Sequence, residues 1–205
     1  MTRIFYSERM LNKLRKKISK YNEISAQKLE KTGLSPSIIT LLGLLITASS
    51  IIPLLYLSEP VNYFVFVAMI LLSGYMDMLD GALARYTGQV SKKGAFTDST
   101  LDRITDVIII TYLYLGGITY DTLLLILLIS TSILISYTRA RAEALGLNMQ
   151  GIGIMERAER IIFILASIII SKILKLIDIE ILLWLLVILN TITVGQRIYY
   201  TLRNM

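Results

Sequence analysis

The chain has 205 residues and a net charge of +6, with 55% hydrophobic residues, 18% charged residues and a mean hydropathy of +0.65. It is too apolar for an ordinary soluble domain, and charges interrupt it too often for a simple membrane anchor. Cysteine and histidine are absent, which excludes disulfides, thiolate metal sites and imidazole chemistry. Acid–base or metal chemistry must therefore use Asp and Glu, whose oxygens suit Mg²⁺ or Mn²⁺.

The first segment, residues 1–36, is polar and basic, and we expect no secretory signal peptide in it. Apolar side chains recur there at helical spacing among lysines, at Leu11, Leu14, Ile18 and Tyr21. This pattern is typical of an amphipathic helix on an anionic membrane surface, with a solvated basic tail as the alternative. We predict a cytoplasmic segment 1–36 with an amphipathic helix beside the membrane, followed by a membrane domain over 37–205.

Six uncharged runs follow, and each is a candidate transmembrane helix. They are 38–57, 61–76, 107–120, 122–138, 161–171 and 181–196. Only the first reaches the about 20 residues that a helix needs to cross roughly 30 Å of hydrocarbon. The others are long enough only if each helix continues into adjacent charged sequence. Those extensions are 77–85, 94–106, 139–143, 156–160 and 197 onward. The prediction is an all-α integral membrane protein with six transmembrane helices.

The basic residues support this layout. Threading six helices from the N-terminus places 19 of the 21 Lys and Arg on one side and leaves Lys172 and Lys175 opposite. The excess of positive charge makes that side cytoplasmic. The charged extensions fall on the same side. We therefore predict a multi-pass protein of the cell membrane, in contact with membrane lipids, with its active site facing the cytoplasm. This charge distribution argues against nucleic acid as a partner.

The stretch DMLDGALARYTGQVSKKGAFTDSTLDRITD, residues 77–106, places five aspartates between uncharged flanks. Asp77 and Asp80 are three residues apart and Asp98 and Asp102 are four apart, so each pair shares one helix face. A short connection makes the two segments antiparallel neighbours, so the carboxylates can converge. Each ionised group at mid-membrane costs about 2.5–3.5 kcal/mol, which favours a bound divalent cation. The alternative is that neighbouring arginines neutralise them at the membrane interface.

The same stretch resembles the signature of the CDP-alcohol phosphotransferase family, D-x2-D-G-x2-A-R-x8-G-x3-D-x3-D. All the fixed positions are present: Asp77, Asp80, Gly81, Ala84, Arg85, Gly94, Asp98 and Asp102. Six helices behind an interfacial N-terminal helix are also similar to that family, so the resemblance covers nearly the whole chain.

The resemblance implies a role for each motif residue. The implied ligands of one or two Mg²⁺ or Mn²⁺ ions are Asp77, Asp80, Asp98 and Asp102. Asp102 is also the implied catalytic general base. The implied CDP-lipid contacts are Ser37, Ile38, Ile39, Thr40, Gly81, Arg85 and Ser91. Many members carry Asn where this chain has Ser37. A homodimer is a further expectation from the family.

The second half is similar to the subgroup that makes phosphatidylinositol phosphate or archaetidylinositol phosphate. The similar stretches are SYTRARAEALGL, GIGIMERAERIIF and VGQR. In that subgroup, residues matching Arg139, Arg160 and Arg197 bind the phosphate of inositol phosphate, although the first is commonly Lys. The implied reaction transfers the lipid phosphate group of CDP-diacylglycerol or CDP-archaeol to inositol phosphate and releases CMP. Without the resemblance, the three arginines would be ordinary topology anchors.

Other functions fit parts of the same pattern. Within the family they are a di-inositol-phosphate phosphate synthase that uses CDP-inositol and a phosphatidylglycerol phosphate synthase. From another class, intramembrane carboxylates also occur in cation or proton transporters. A transporter would be expected to show discontinuous helices or inverted repeats near mid-membrane, whereas these charges lie toward one face. Metal-dependent release of CMP would separate the two classes.

Overall fold

A computed structural model describes residues 24–31 and 33–205, and every regular element within them is helical. The elements are α1 (Pro36–Ser49), α2 (Ile51–Tyr56), α3 (Val61–Tyr86), α4 (Lys92–Leu115), α5 (Thr122–Ala144), α6 (Arg157–Ile168) with a π-helical turn (Ile169–Ile173), and α7 (Ile179–Arg203). Residues 24–30 are also helical. The all-α prediction is thus confirmed for the described residues. The side chains on which the amphipathic helix was predicted, from Leu11 to Tyr21, lie outside them.

Four helical stretches in the described part of the chain are long and apolar enough to cross a membrane. They are Pro36–Tyr56, Val61–Tyr86, Thr122–Ala144 and Ile179–Arg203. The predicted continuation of apolar runs into charged sequence is confirmed, because α3 runs through Asp77 and Asp80 and α7 runs past Arg197. The protein is therefore a membrane protein whose described elements are all helical and carry charged side chains near their ends.

The chain divides into two compact units, and the first contains the described residues up to 46 together with 70–101. Its core consists of Ala26, Ile39, Leu79, Ala82 and Leu83, with Leu29 and Met76 packed against it. Helices α1 and α3 approach closely at Gly43, where an added Cβ would lie 3.3 Å from Met76 Cβ. The Ser73 hydroxyl donates to the Gly43 carbonyl at 2.8 Å. A residue without a side chain permits this approach, as is usual between membrane helices.

The second unit contains residues 47–69 and 102–205, in which α5 and α7 pack along each other and α6 packs on α7. Asp121 caps α5 by accepting from Leu124 N at 3.0 Å, and it also accepts from Trp184 Nε1 at 3.1 Å. Near the other end of α7, two side chains of α7 hold the loop that precedes α6. Met155 N donates to Thr193 Oγ1 at 3.1 Å, and Ile154 N donates to Gln196 Oε1 at 3.2 Å.

This loop contains two glycines with positive φ that differ in their surroundings. Gly153 has φ +107°, and an added Cβ would lie 2.5 Å from Thr193 Cγ2. Gly151 has φ +74°, and an added Cβ would meet nothing within 4 Å. Gly153→Ala should therefore reduce stability by about 1–3 kcal/mol more than Gly151→Ala, since only it adds overpacking to backbone strain. Thermal unfolding of both variants in detergent checks this, and equal melting temperatures would contradict the packing.

Candidate active site

The first unit brings three motif aspartates together. Asp77 and Asp80 are on α3 and Asp98 is on α4. Carboxylate oxygens of Asp77 and Asp98 lie within 4.8 Å of each other, and the charges of both act on Asp80. Asp80 is buried and accepts a hydrogen bond from the Thr40 hydroxyl. The contact orients this carboxylate and links it to the stretch that was predicted to bind the CDP-lipid.

The donor set of this cluster fits a hard divalent cation. It offers only carboxylate oxygens, which Mg²⁺ and Mn²⁺ prefer, and contains no sulfur or imidazole ligand that would favour zinc or copper. Carboxylates this close repel each other, so a cation among them lowers their energy. The hydrogen bond from Thr40 to Asp80 is the kind of outer contact that fixes a ligating carboxylate. Asp102 follows Asp98 by one helical turn on α4.

The predicted CDP-lipid residues have different surroundings within this unit. The Arg85 guanidinium lies over Gly81, where an added Cβ would be 3.3 Å from Arg85 Nη1. Ser91 Oγ accepts from Gly94 N at 3.0 Å and so caps α4, which gives Ser91 a structural role as well. Ser37 and Ile38 are exposed, whereas Ile39 is in the core.

In the second unit, Asp102 belongs to a network of charges between α4 and α6. Arg157 Nη1 donates to Asp102 Oδ1 at 2.6 Å, and Arg103 lies 3.5 Å from the other oxygen of Asp102. Arg157 Nε reaches Asp106 Oδ1 at 3.3 Å, and Arg160 Nη2 reaches Asp106 Oδ2 at 2.7 Å. Asp106 and Arg160 are both buried. The predicted base and a predicted acceptor residue are thus joined through two further side chains.

The three predicted acceptor arginines all lie in the second unit, near the charged ends of α5, α6 and α7. The Arg197 side chain is 1% exposed. It donates from Nε to the Ile152 carbonyl at 2.9 Å and from Nη1 to the Ile135 carbonyl. Arg139 is partly exposed and pairs with Glu143 at 2.9 Å. Two of the three predicted acceptor arginines are thus buried, and the third is accessible.

Sequence reasoning assigned no role to Asp106 or Arg157, although a signal for Asp106 is present. Asp98, Asp102 and Asp106 recur every fourth residue, so all three lie on one face of α4. Arg157 and Arg160 are likewise three residues apart at the start of α6. That α4 and α6 face each other could not be inferred from spacing alone. The Thr40–Asp80 contact likewise depends on how α1 packs against α3.

Carboxylate clusters that suit Mg²⁺ or Mn²⁺ are common in enzymes that transfer phosphate groups, and α3, which carries two of these aspartates, is long and apolar enough to cross a membrane. The family model of CDP-alcohol phosphatidyltransferase matches residues 34–194, and the chain belongs to this family. The resemblance seen in the sequence is thereby confirmed, and the protein is an enzyme.

Relatives of this chain are similar over most of its length. The archaetidylinositol phosphate synthase of Pyrococcus horikoshii is 37% identical over 190 residues, which cover 93% of this chain and 95% of that protein. The phosphatidylinositol phosphate synthase of Mycobacterium tuberculosis with CDP-DAG bound superposes with a TM-score of 0.72 at 33% identity, covering 89% of this chain and 94% of the other. Its complex with manganese and citrate gives a TM-score of 0.71 at 33% identity, covering 88% of each chain.

Proposed function

We propose that the protein transfers the phosphatidyl or archaetidyl group of a CDP-activated lipid to inositol phosphate and releases CMP. The observation that supports this acceptor is that Arg139, Arg160 and Arg197 all lie in the second unit, near the charged ends of α5, α6 and α7, with Arg160 and Arg197 buried. A phosphate dianion held by two or three guanidinium groups gains charge-assisted, often bidentate hydrogen bonds. One relative is named as an archaetidylinositol phosphate synthase and another as a phosphatidylinositol phosphate synthase, and both names agree with inositol phosphate as acceptor.

We assign the donor side to the aspartate motif. The proposed metal ligands are Asp77, Asp80, Asp98 and Asp102. These carboxylates would hold a Mg²⁺ or Mn²⁺ ion, which would supply positive charge to neutralise the diphosphate. The proposed CDP-lipid contacts are Ser37, Ile38, Ile39, Thr40, Gly81, Arg85 and Ser91. CDP-diacylglycerol and CDP-archaeol share the cytidine diphosphate that these residues would bind, so both are candidate donors.

The proposed chemistry is a direct displacement. A hydroxyl oxygen of inositol phosphate attacks the phosphorus that carries the lipid, and the bond from that phosphorus to CMP breaks. Asp102 accepts the hydroxyl proton as general base. The chain has no cysteine or histidine, so a Cys nucleophile and a Ser–His pair are both excluded, and no covalent intermediate is proposed.

We further propose that six helices cross the membrane, with α4 and α6 plus its π-helical turn added to the four long apolar helices. The 19 basic residues on one side support this layout. We propose that residues 37–205 form the membrane domain of a homodimer in the cell membrane. Residues 1–36 would lie in the cytoplasm and include an interfacial amphipathic helix.

The topology can be tested with single cysteines, since the chain has none of its own. Gln89, Gln150 and Ser58 are exposed in loops between helices. Cysteines at Gln89 and Gln150 should react with an impermeant maleimide from the cytoplasmic side, and a cysteine at Ser58 from the opposite side. Labelling of Ser58→Cys and Gln89→Cys from the same side would contradict the six-helix layout.

CMP release with a panel of acceptors tests the proposed function. The purified protein should release CMP from CDP-archaeol or CDP-diacylglycerol with inositol phosphate, but poorly with free inositol or glycerol phosphate, and chelation should stop it. Preference for glycerol phosphate would indicate phosphatidylglycerol phosphate synthesis. Turnover of CDP-inositol in place of the CDP-lipid would indicate di-inositol-phosphate phosphate synthesis. The absence of CMP release with every acceptor would contradict the proposed function.

Acceptor binding can be tested at the arginine with an exposed side chain. Arg139→Ala should raise KM for inositol phosphate by about 10-fold or more, because a charge-assisted hydrogen bond contributes about 1.5–3 kcal/mol. KM for the CDP-lipid should change little. Arg141→Ala is the matched control, since Arg141 is exposed two residues further along α5.

The buried arginines are better replaced by lysine, which keeps the charge but cannot form a bidentate contact. Arg160→Lys and Arg197→Lys should also raise KM for the acceptor, whereas Arg203→Lys, at the exposed end of α7, should not. Unchanged KM for inositol phosphate in Arg139→Ala and both lysine variants would contradict a role in acceptor binding. The three arginines would then serve only as topology anchors.

A further inference from the structure

The charge network of the second unit contains two residues that the proposed reaction does not yet use. Arg157 is bound to two carboxylates at once, with Nη1 at 2.6 Å from Asp102 and Nε at 3.3 Å from Asp106. Asp106 in turn binds two arginines, since its other oxygen lies 2.7 Å from Arg160 Nη2. The result is a continuous chain of contacts, Asp102–Arg157–Asp106–Arg160.

Stability alone is a weak reason for such a network. Arg160 is 3% exposed and Asp106 is 8% exposed, so both charges have lost most of their water. The desolvation of a buried ion pair can exceed the attraction between its members, and well-packed apolar residues often replace such a pair without loss of stability. A guanidinium offers a different advantage, because its planar fork fixes the position of the carboxylates that it binds.

The network ends at Asp102 and Arg160, and the proposed reaction requires a fixed distance between these two groups. Asp102 is the proposed proton acceptor, and Arg160 is a proposed ligand of the acceptor phosphate. An acceptor bound at its phosphate is productive only if its hydroxyl also meets the base at hydrogen-bond distance. A rigid connection between base and phosphate ligand meets this requirement.

We propose that Arg157 and Asp106 are positioning residues: Asp106 aligns the guanidinium groups of Arg157 and Arg160, and Arg157 fixes the carboxylate of Asp102. This inference rests on the proposed function. The ion pairs of Arg157 with two aspartates of α4 are the contacts through which we assign it to the positioning of the base. We therefore expect the network to affect kcat, through the position of the bound acceptor relative to the base, more than KM for the CDP-lipid.

Steady-state kinetics of Arg157→Lys and Asp106→Asn test this role. Lysine keeps the charge but can replace only one of the two contacts, and asparagine keeps the shape of Asp106 without its charge. Each variant should lower kcat by about 10–100-fold, as loss of a residue that orients a site ligand commonly does. KM for the CDP-lipid should stay within about threefold. The double variant should lose little more than either single one, because contacting residues that act as one unit are not additive.

A destabilised control separates positioning from folding. Gly116→Ala places a Cβ 2.6 Å from Leu54 Cδ1 and touches no member of the network. It should lower the melting temperature and leave kcat per folded enzyme unchanged. If Arg157→Lys and Asp106→Asn behave like this control, or if their effects on kcat simply add, the positioning role is wrong.

The proposed function and the positioning role predict different failures. If the unmodified protein releases no CMP with inositol phosphate, the proposed function fails and the positioning role fails with it. If the unmodified protein is active and both network variants keep its kcat, only the positioning role is overturned.

Discussion

Asp98→Asn should lower kcat for CMP release by roughly 10²–10³-fold or more, which is the range for loss of one main electrostatic contact. Carboxylate oxygens of Asp98 and Asp77 lie within 4.8 Å of each other, so the two residues can share one cation. Replacing either carboxylate by an amide would weaken the binding of that cation. Mn²⁺ binding to the purified protein should weaken in parallel, as titration followed by electron paramagnetic resonance would show. Asp77→Asn should behave in the same way.

The matched control for Asp98→Asn is the same chemical change at a helix cap. Asp178 caps α7 by accepting from Glu180 N at 2.8 Å. Asparagine is about as good an N-cap as aspartate, so Asp178→Asn should retain activity, stability and Mn²⁺ binding. Normal Mn²⁺ affinity in Asp98→Asn and Asp77→Asn would contradict a metal site at this pair.

Asp102→Asn should lose turnover while the CDP-lipid still binds. A neutral amide cannot accept the proton of the attacking hydroxyl, and loss of a general base typically costs about 10²–10⁴-fold in rate. The change also removes a charge from the contact with Arg157, so acceptor binding should be measured as well. Equilibrium binding of the CDP-lipid, set beside single-turnover rates, checks the separation of binding from chemistry. A near-normal single-turnover rate would exclude Asp102 as the base.

The sequence predicted the helices well because membrane helices leave a strong signal. The charged extensions were assigned to helices on length alone, and α3 and α7 continue through them. The run 38–57 was predicted as one span, and Pro36–Tyr56 is one helical stretch of membrane-crossing length that is interrupted at Ser50 between α1 and α2. Pro53 has no N–H to donate, and at the division the Ser50 hydroxyl donates to the Thr47 carbonyl at 2.7 Å.

The site was predictable only where the chemistry is local in sequence. Asp77 with Asp80 and Gly81 with Arg85 are near neighbours on one helix, and their spacing shows that they share a face. The contacts that tie the predicted site residues to the rest of the fold join distant residues: Thr40 with Asp80 and Asp102 with Arg157. Both depend on which helices pack together and in which register. Periodicity within a single helix does not carry that information.

The mass of the lipid product is the most direct test of whether the protein transfers the lipid phosphate group to inositol phosphate. The purified protein, a CDP-activated lipid, inositol phosphate and Mg²⁺ or Mn²⁺ should give a lipid that carries inositol and retains both the donor and the acceptor phosphate. CMP should appear in equal amount, and neither product should form after chelation. A product without the acceptor phosphate, or CMP release that does not depend on inositol phosphate, would contradict the proposed function.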